Sequence, residues 1–285
     1  MTHKPKFINL LTDFAFKRIF GNEEHKDLLI HFLNEVLQPE GKQIKDLQVK
    51  NNEQSIDNEE DKKVIFDFFC EDEAGDKFIV EIQRQKSNYF RERMLYYGSK
   101  VIADQGRKGP WDYHLSPVYV IGIMDFSYTK NNVIEYYSLT GKYSQQIHSG
   151  CLKLITIELS NFYKSESELE TNMDKWLFML KNLYKLEVIP QTLKEHIYMK
   201  ILNLAEYAAL TKPDQAAYDR SLKIMRDNHS AMEYQKDLGR EEGRLEGKHQ
   251  ERLSTLKLLY QNGLSIEKII TFTGFSNEEI TEALK

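Results

Sequence analysis

Three polar side chains interrupt an apolar stretch in a way that points to metal chemistry. Within residues 64–83 stand Val-Ile-Phe-Asp-Phe-Phe-Cys, a polar link at 71–76 containing Gly75, and from Phe78 the run Phe-Ile-Val-Glu-Ile-Gln. Both apolar arms have the length, β-branching and aromatic content of buried strands. The glycine-bearing link suits a short hairpin loop. Strand side chains alternate between faces, so Ile65, Asp67 and Phe69 are expected on one face of the first arm. Ile79, Glu81 and Gln83 are expected on one face of the second. A turn centred near Ala74 sets Asp67 opposite Glu81, where directly paired residues stand roughly 5 Å apart at Cβ. Two carboxylates that close repel, and a divalent cation between them removes the repulsion. Gln83 lies within reach of the same ion or its water. The bland alternative is a half-buried hairpin with Glu81 and Gln83 in water. Against it, an unpaired Asp67 in an apolar strand costs several kcal/mol.

The segment that follows is basic. Residues 84–108 hold Arg84, Lys86, Arg91, Arg93, Lys100, Arg107 and Lys108 against Glu92 and Asp104, seven cations to two anions. Such a patch binds phosphate backbones, or is simply a solvated face. Arg93 and Tyr97 are one turn apart on a predicted helix that Ser87 would cap and that runs to about Asp104. Arg93 either holds a phosphate or the ligand carboxylates, or covers apolar surface with its stem.

The remaining elements must position these groups. Residues 7–21 predict a short helix capped by Thr12 and closed by Gly21, with Phe16, Ile19 and Phe20 on its apolar face. Asp13 and Lys17 are one turn apart on it. A second helix spans 23–37, with Leu28, Leu29, Phe32, Leu33 and Val36 at core spacing. A strand is expected at 44–49 and an exposed loop at 51–63. The unbroken apolar run at 118–124 predicts a strand covered on both faces, and 134–139 and 152–159 add two more. Helices follow at 169–183, 193–210 and 213–238. His196 and His229 stand alone and are not read as ligands. Gly239, Gly243 and Gly247 lie four residues apart among charges. They make either a bare stripe on a helix or a flexible linker, with Glu241 and Arg244 able to pair in the former. Residues 253–285 predict three short helices, Ser276 and Glu279 forming a capping box for the last. The final pair looks like a helix-turn-helix. Its second helix is acidic, with Asn277 the one base-reading side chain, so assembly into a homo-oligomer is as good a role as base reading.

Composition bounds the rest. The 285 residues, 41% hydrophobic and 29% charged with net charge −5, suit a folded protein with a sizeable core. No run reaches the roughly 18 apolar residues of a membrane helix. The opening Met-Thr-His-Lys-Pro-Lys leads into no signal-type apolar stretch. Cys70 and Cys151 supply neither a disulfide framework nor a zinc set, and Cys70 reads as strand packing. A reducing cytoplasm is the expected location.

An aspartate at a strand end, a glycine turn and then Glu-x-Lys on the next strand form the core motif of the PD-(D/E)xK nucleases. Asp67 with Glu81-Ile82-Gln83 resembles its variant in the Rpn group of recombination-promoting, transposase-like nucleases. Asp13-Phe-Ala-Phe-Lys17-Arg-Ile-Phe-Gly21 is similar to that group's opening motif, and Arg93-Met-Leu-Tyr-Tyr97 to its helix signature. Leu159-Ser-Asn-Phe162 followed by Trp176 also fits, and the likeness covers roughly residues 7–185. It implies an α/β fold, a restriction-endonuclease-like mixed central sheet flanked by helices, joined here to an all-α C-terminal region. With the helix pattern that follows, the expected division is a nuclease-like core at 1–165, a helical extension at 166–238 and a C-terminal unit at 239–285.

The resemblance also implies metal-dependent DNA cleavage. Asp67 and Glu81 would hold Mg²⁺ or another divalent cation with the Ile82 carbonyl, and Gln83 would orient the attacking water. Arg84, Lys86, Arg91 and Arg93 would meet DNA, with Asp13, Lys17 and Tyr97 as accessories. Asp13 either lends a carboxylate to the metal or merely favours its helix dipole. Glutamine departs from the motif's lysine and brings no ammonium charge. Two other readings stay open on these residues. One is a degenerate nuclease fold that binds DNA or protein without cutting; the other is an assembly protein working through its C-terminal helices.

Overall fold

Six strands form one mixed sheet in the computed structural model, which describes residues 5–50, 66–106, 109 and 112–283. They are β1 (Leu47–Val49), β2 (Phe68–Asp72), β3 (Lys77–Gln83), β4 (Val118–Met124), β5 (Ile134–Thr140) and β6 (Ile147–Glu158), in spatial order β1-β2-β3-β4-β6-β5. β1, β2 and β3 pair antiparallel; β3, β4 and β6 run parallel; β5 returns antiparallel along β6. This is the mixed α/β sheet expected from the sequence.

Alternation along the central strands separates two cores. Phe68, Cys70, Phe78, Val80, Tyr119, Ile121 and Ile123 join one cluster with α1 (Asp13–Phe20), α2 (Lys26–Leu37), α4 (Asn172–Asn182) and α5 (His196–Ala205). Phe69, Ile79, Val118, Val120 and Met124 join another with Phe90, Met94 and Val101 of α3 (Phe90–Ala103). Every residue of β4 is buried, as its apolar run required. Trp176 of α4 is fully buried, and its indole N–H donates to His31 Nδ1 at 2.9 Å. Cys70 is buried in β2 and its thiol is pushed up by burial, consistent with packing.

Most predicted helix signals are used. Thr12 accepts from Ala15 N–H at the start of α1, and Gly21 N–H closes it on Lys17 O. The cap of α3 differs from expectation. The helix begins at Phe90 after Tyr89, with no side-chain cap, and the Ser87 carbonyl accepts from Tyr128 Oη at 2.6 Å instead. β6 also begins earlier than its apolar run, at Ile147. The expected loop at 51–63 lies outside the described residues.

The chain divides into two units, Met1–Lys223 and Ile224–Lys285. α6 (Lys212–Gln261) begins in the first and ends in the second. It is one uninterrupted helix through Gly239, Gly243 and Gly247, so the linker alternative fails there. Among the described residues, nothing beyond the helix's own adjoining backbone lies within 4 Å of where a Cβ would stand on any of the three. In the second unit the end of α6, α7 (Ile266–Thr273) and α8 (Asn277–Ala283) share a small core of Leu256, Ile269, Phe275, Ile280 and Ala283. The Ser276–Glu279 capping box forms, and Arg252 pairs with Glu279 at 2.6 Å.

Candidate active site

The β2–β3 register pairs Phe68 with Val80, Phe69 with Ile79 and Cys70 with Phe78. Carried one step outward, it sets Asp67 opposite Glu81, as the turn position predicted. Asp67 lies just outside the regular ladder, at a bend. There the two carboxylates take over the pairing. Asp67 N–H donates to Glu81 Oε1 at 3.0 Å, and Ile82 N–H donates to Asp67 Oδ2 at 2.8 Å. Because the strand has ended, simple alternation does not hold for Asp67. Its side chain lines a cavity of about 120 Å³ with Leu11, Asp13, Phe16, Lys17, Ile82 and Arg84. Glu81 keeps the alternation of β3; its Oε2 lies 4.0 Å from Arg93 Nη2 on α3.

Burial dominates the electrostatics. Glu81 is 3% exposed, and desolvation together with the Asp67 charge pushes its carboxyl up to about 8. The Asp67 N–H and Arg93 oppose that rise. Asp67 is raised mainly by burial, against the Ile82 N–H; Asp13 adds to the rise, while Lys17 and Arg93 counter it. Burial thus raises both neighbouring carboxyl groups, a perturbation that clusters at functional sites.

The other predicted residues fall into distinct places. Asp13 and Lys17 form an i,i+4 pair at 2.7 Å and line the cavity. Gln83 is fixed at both polar ends: its Oε1 accepts from Arg93 Nη2 at 2.6 Å, and its Nε2 donates to the Gln85 carbonyl at 2.9 Å. Tyr97, one turn after Arg93, packs edge-on against Phe66; burial and Glu81 raise its hydroxyl. Arg84 lines the cavity but pairs with Asp125 at 3.2 Å. Lys86 and Arg91 both lie over the Tyr128 ring, 5.1 and 4.4 Å from its centre. Lys100 pairs with Asp104, and Arg107 and Lys108 lie outside the described residues. The basic run is thus no uniform patch: half-buried Arg93 reaches Gln83 and Glu81, Arg84 is tied to an acid, and Lys86 and Arg91 stay exposed.

A family model described as PD-(D/E)XK nuclease family transposase matches residues 10–235. The chain belongs to this family. The match spans α1, the whole sheet and the paired carboxylates. No curated protein and no solved structure matches the chain. Among the described residues no helix is long and apolar enough to cross a membrane.

The family implies a divalent metal, and the donor chemistry of Asp67 and Glu81 fits one. Both are hard oxygen donors, they adjoin the Ile82 backbone, and each is destabilised as an anion by burial. Among the described residues no group of three or more His, Cys, Asp or Glu is placed to hold an ion, so the pair would need backbone oxygen and water to complete a shell.

Sequence reading missed three neighbours of the candidate residues. Asp125 and Tyr128 come from the loop after β4 and carry no local signal. Gly122 was detectable, because a glycine inside an apolar strand often marks close backbone approach. It pairs with Glu81 across the sheet, and a Cβ there would stand 2.7 Å from Met94 Sδ and 3.0 Å from Phe90.

Proposed function

We propose that this family member is a metal-dependent DNA endonuclease that hydrolyses phosphodiester bonds with Mg²⁺ or a similar divalent cation. The observation that carries this reading is the buried Asp67–Glu81 pair, cross-bonded at the open end of the β2–β3 hairpin. A bound divalent ion polarises a scissile phosphate and lowers the pKa of an attacking water. Asp67 and Glu81 supply its carboxylate ligands. Lys17 and Arg84, which line the same cavity and are paired with Asp13 and Asp125, offer positive charge to a phosphate entering there. Lys86 and Arg91 meet the flanking backbone from the exposed side of Tyr128. The reading puts the protein on DNA in the cytoplasm, in recombination, mobile-element movement or phage defence.

One observation favours a second reading. Position 83 brings no ammonium, and both polar ends of Gln83 are already engaged. A fold without catalysis would then bind DNA or a partner protein. Plasmid nicking with and without Mg²⁺ separates the two, using wild type and Asp67→Ala. The nuclease reading expects Mg²⁺-dependent nicking that is lost in a folded Asp67→Ala protein. Salt-dependent DNA binding without nicking selects the second reading.

A further inference from the structure

We propose that Arg93 supplies the positive charge of this site, the charge that a Glu-x-Lys motif places on the strand, and that Gln83 is the residue that positions it. This rests on the nuclease reading of Asp67 and Glu81 and assigns the missing cation to α3. Arg93 Nη2 stands 2.6 Å from Gln83 Oε1 and 4.0 Å from Glu81 Oε2. The guanidinium is thus aimed at the two strand positions where the motif carries its acid and its lysine.

Arginine that merely covers apolar surface buries its stem and leaves its head in water. Arg93 is half-buried, with its side chain 37% exposed, and its head is engaged by neighbouring groups. Its guanidinium carbon lies 5.0 Å from the Phe90 ring centre, and its Nε is buried without a hydrogen-bond partner. A buried unpaired donor costs on the order of 1–3 kcal/mol, so some other attraction holds the head in place. Among the described residues, Gln83 Oε1 and Glu81 face its terminal nitrogens and the Phe90 ring lies beneath it. The charge of Arg93 is felt at both Glu81 and Asp67.

The identity of position 83 then follows. A lysine there would set an ammonium against a guanidinium. Glutamine offers an acceptor, and the Gln85 carbonyl holds its amide so that the oxygen faces Arg93. α3 itself is set close to the sheet by glycine on both sides. Gly122 admits Met94 and Phe90, while a Cβ on Gly98 would meet Leu152 Cδ1 at 2.5 Å and Val120 Cγ2 at 3.0 Å. The helix bearing Arg93 is therefore docked at short range, and its cation reaches the strand.

The test is a charge transplant in the full chain. Four proteins are compared: wild type, Arg93→Met, Gln83→Lys and the double variant Arg93→Met/Gln83→Lys. Methionine keeps an apolar stem over Phe90 and removes the charge; Arg93→Gln serves if that variant melts early. The first readout is Ca²⁺ affinity by calorimetry at pH 9, which needs no cleavage. Arg93→Met should bind Ca²⁺ about tenfold tighter, because a cation near the carboxylates has been removed. The double variant should return toward wild type. The second readout is the single-turnover nicking rate in Mg²⁺ beside DNA affinity in Ca²⁺. Arg93→Met should lose roughly 10²-fold in rate with affinity within about threefold, and the double variant should regain at least about tenfold.

Unchanged Ca²⁺ affinity in Arg93→Met overturns the inference, as does a double variant no better than Arg93→Met. So does an absence of Ca²⁺ binding in all four proteins. A wild type that never nicks, with the calcium responses as expected, removes the nuclease reading. It leaves Arg93 as the cation of the carboxylate pair.

Discussion

Replacing Glu81 with glutamine should flatten the pH dependence of stability of the metal-free protein. Burial and Asp67 push the native carboxyl from the ordinary glutamate value of 4.5 up to about 8. The native state then binds this proton more tightly than the unfolded chain does. The resulting stabilisation is complete below pH 4.5 and is lost as pH rises through about 8. That interval spans about three and a half pH units at ~1.4 kcal/mol each, so the loss reaches at most about 5 kcal/mol. Glutamine keeps the shape and can still accept the Asp67 N–H, but has no proton to lose. Urea denaturation of wild type and Glu81→Gln in EDTA, from pH 5 to pH 9, measures the difference. The two proteins should agree near pH 5. By pH 9 the variant should be the more stable by several kcal/mol, about 10 °C in melting temperature. Adding Mg²⁺ at pH 8 should raise the wild type alone. Parallel curves across the range would refute the argument, because they would mean that Glu81 titrates normally in the fold.

Other perturbations test the surroundings. Lys86→Gln with Arg91→Gln should weaken DNA binding and flatten the plot of log affinity against log salt by at most about 1.8, two phosphate contacts' worth; an unaltered slope would make that face merely solvated. Gly122→Val should cost about 1–3 kcal/mol by overpacking against Met94 and Phe90, and should slow nicking by displacing α3; melting curves and single-turnover rates measure both. Trp176→Ala should cost about 3–5 kcal/mol by denaturation, since it empties a buried site and strands the His31 acceptor.

The hairpin was legible because length, polarity and one glycine set its turn, and the turn sets every pairing. The Asp67–Glu81 opposition followed from that count alone. The direction of the Asp67 side chain did not, since alternation presumes a regular strand and the chain bends there. α1 was legible from its caps, whereas α3 starts at Phe90 without a side-chain cap, and the Ser87 carbonyl accepts from Tyr128, 41 residues away. The same distance hid the charge balance of the basic run: Arg84 meets Asp125 and Lys86 meets Tyr128 only once β4 has returned through the sheet. The early start of β6 lies in Ile147, His148, Ser149 and Gly150, a stretch with little apolar signal. It pairs with β5 through register shifts at Ser138 and Leu139. The reach of Arg93 to Gln83 and Glu81 was the hardest to foresee, because a helical arginine reads alike whether it points to water or to an acid.

The two hydrogen bonds that close the hairpin give the site spectroscopic reporters of its own. Asp67 N–H ends on Glu81, and Ile82 N–H ends on Asp67. Each amide proton is held by a different carboxylate, and a carboxylate accepts more strongly than the corresponding acid. Protonating Glu81 should move the Asp67 amide resonance upfield and quicken its exchange with solvent, with Ile82 following when Asp67 titrates. An arriving dication draws electron density from both acceptors at once. Two backbone signals in a nitrogen–proton correlation spectrum therefore record which carboxylate is charged and when an ion is seated, with no label on the side chains and no substrate in the tube.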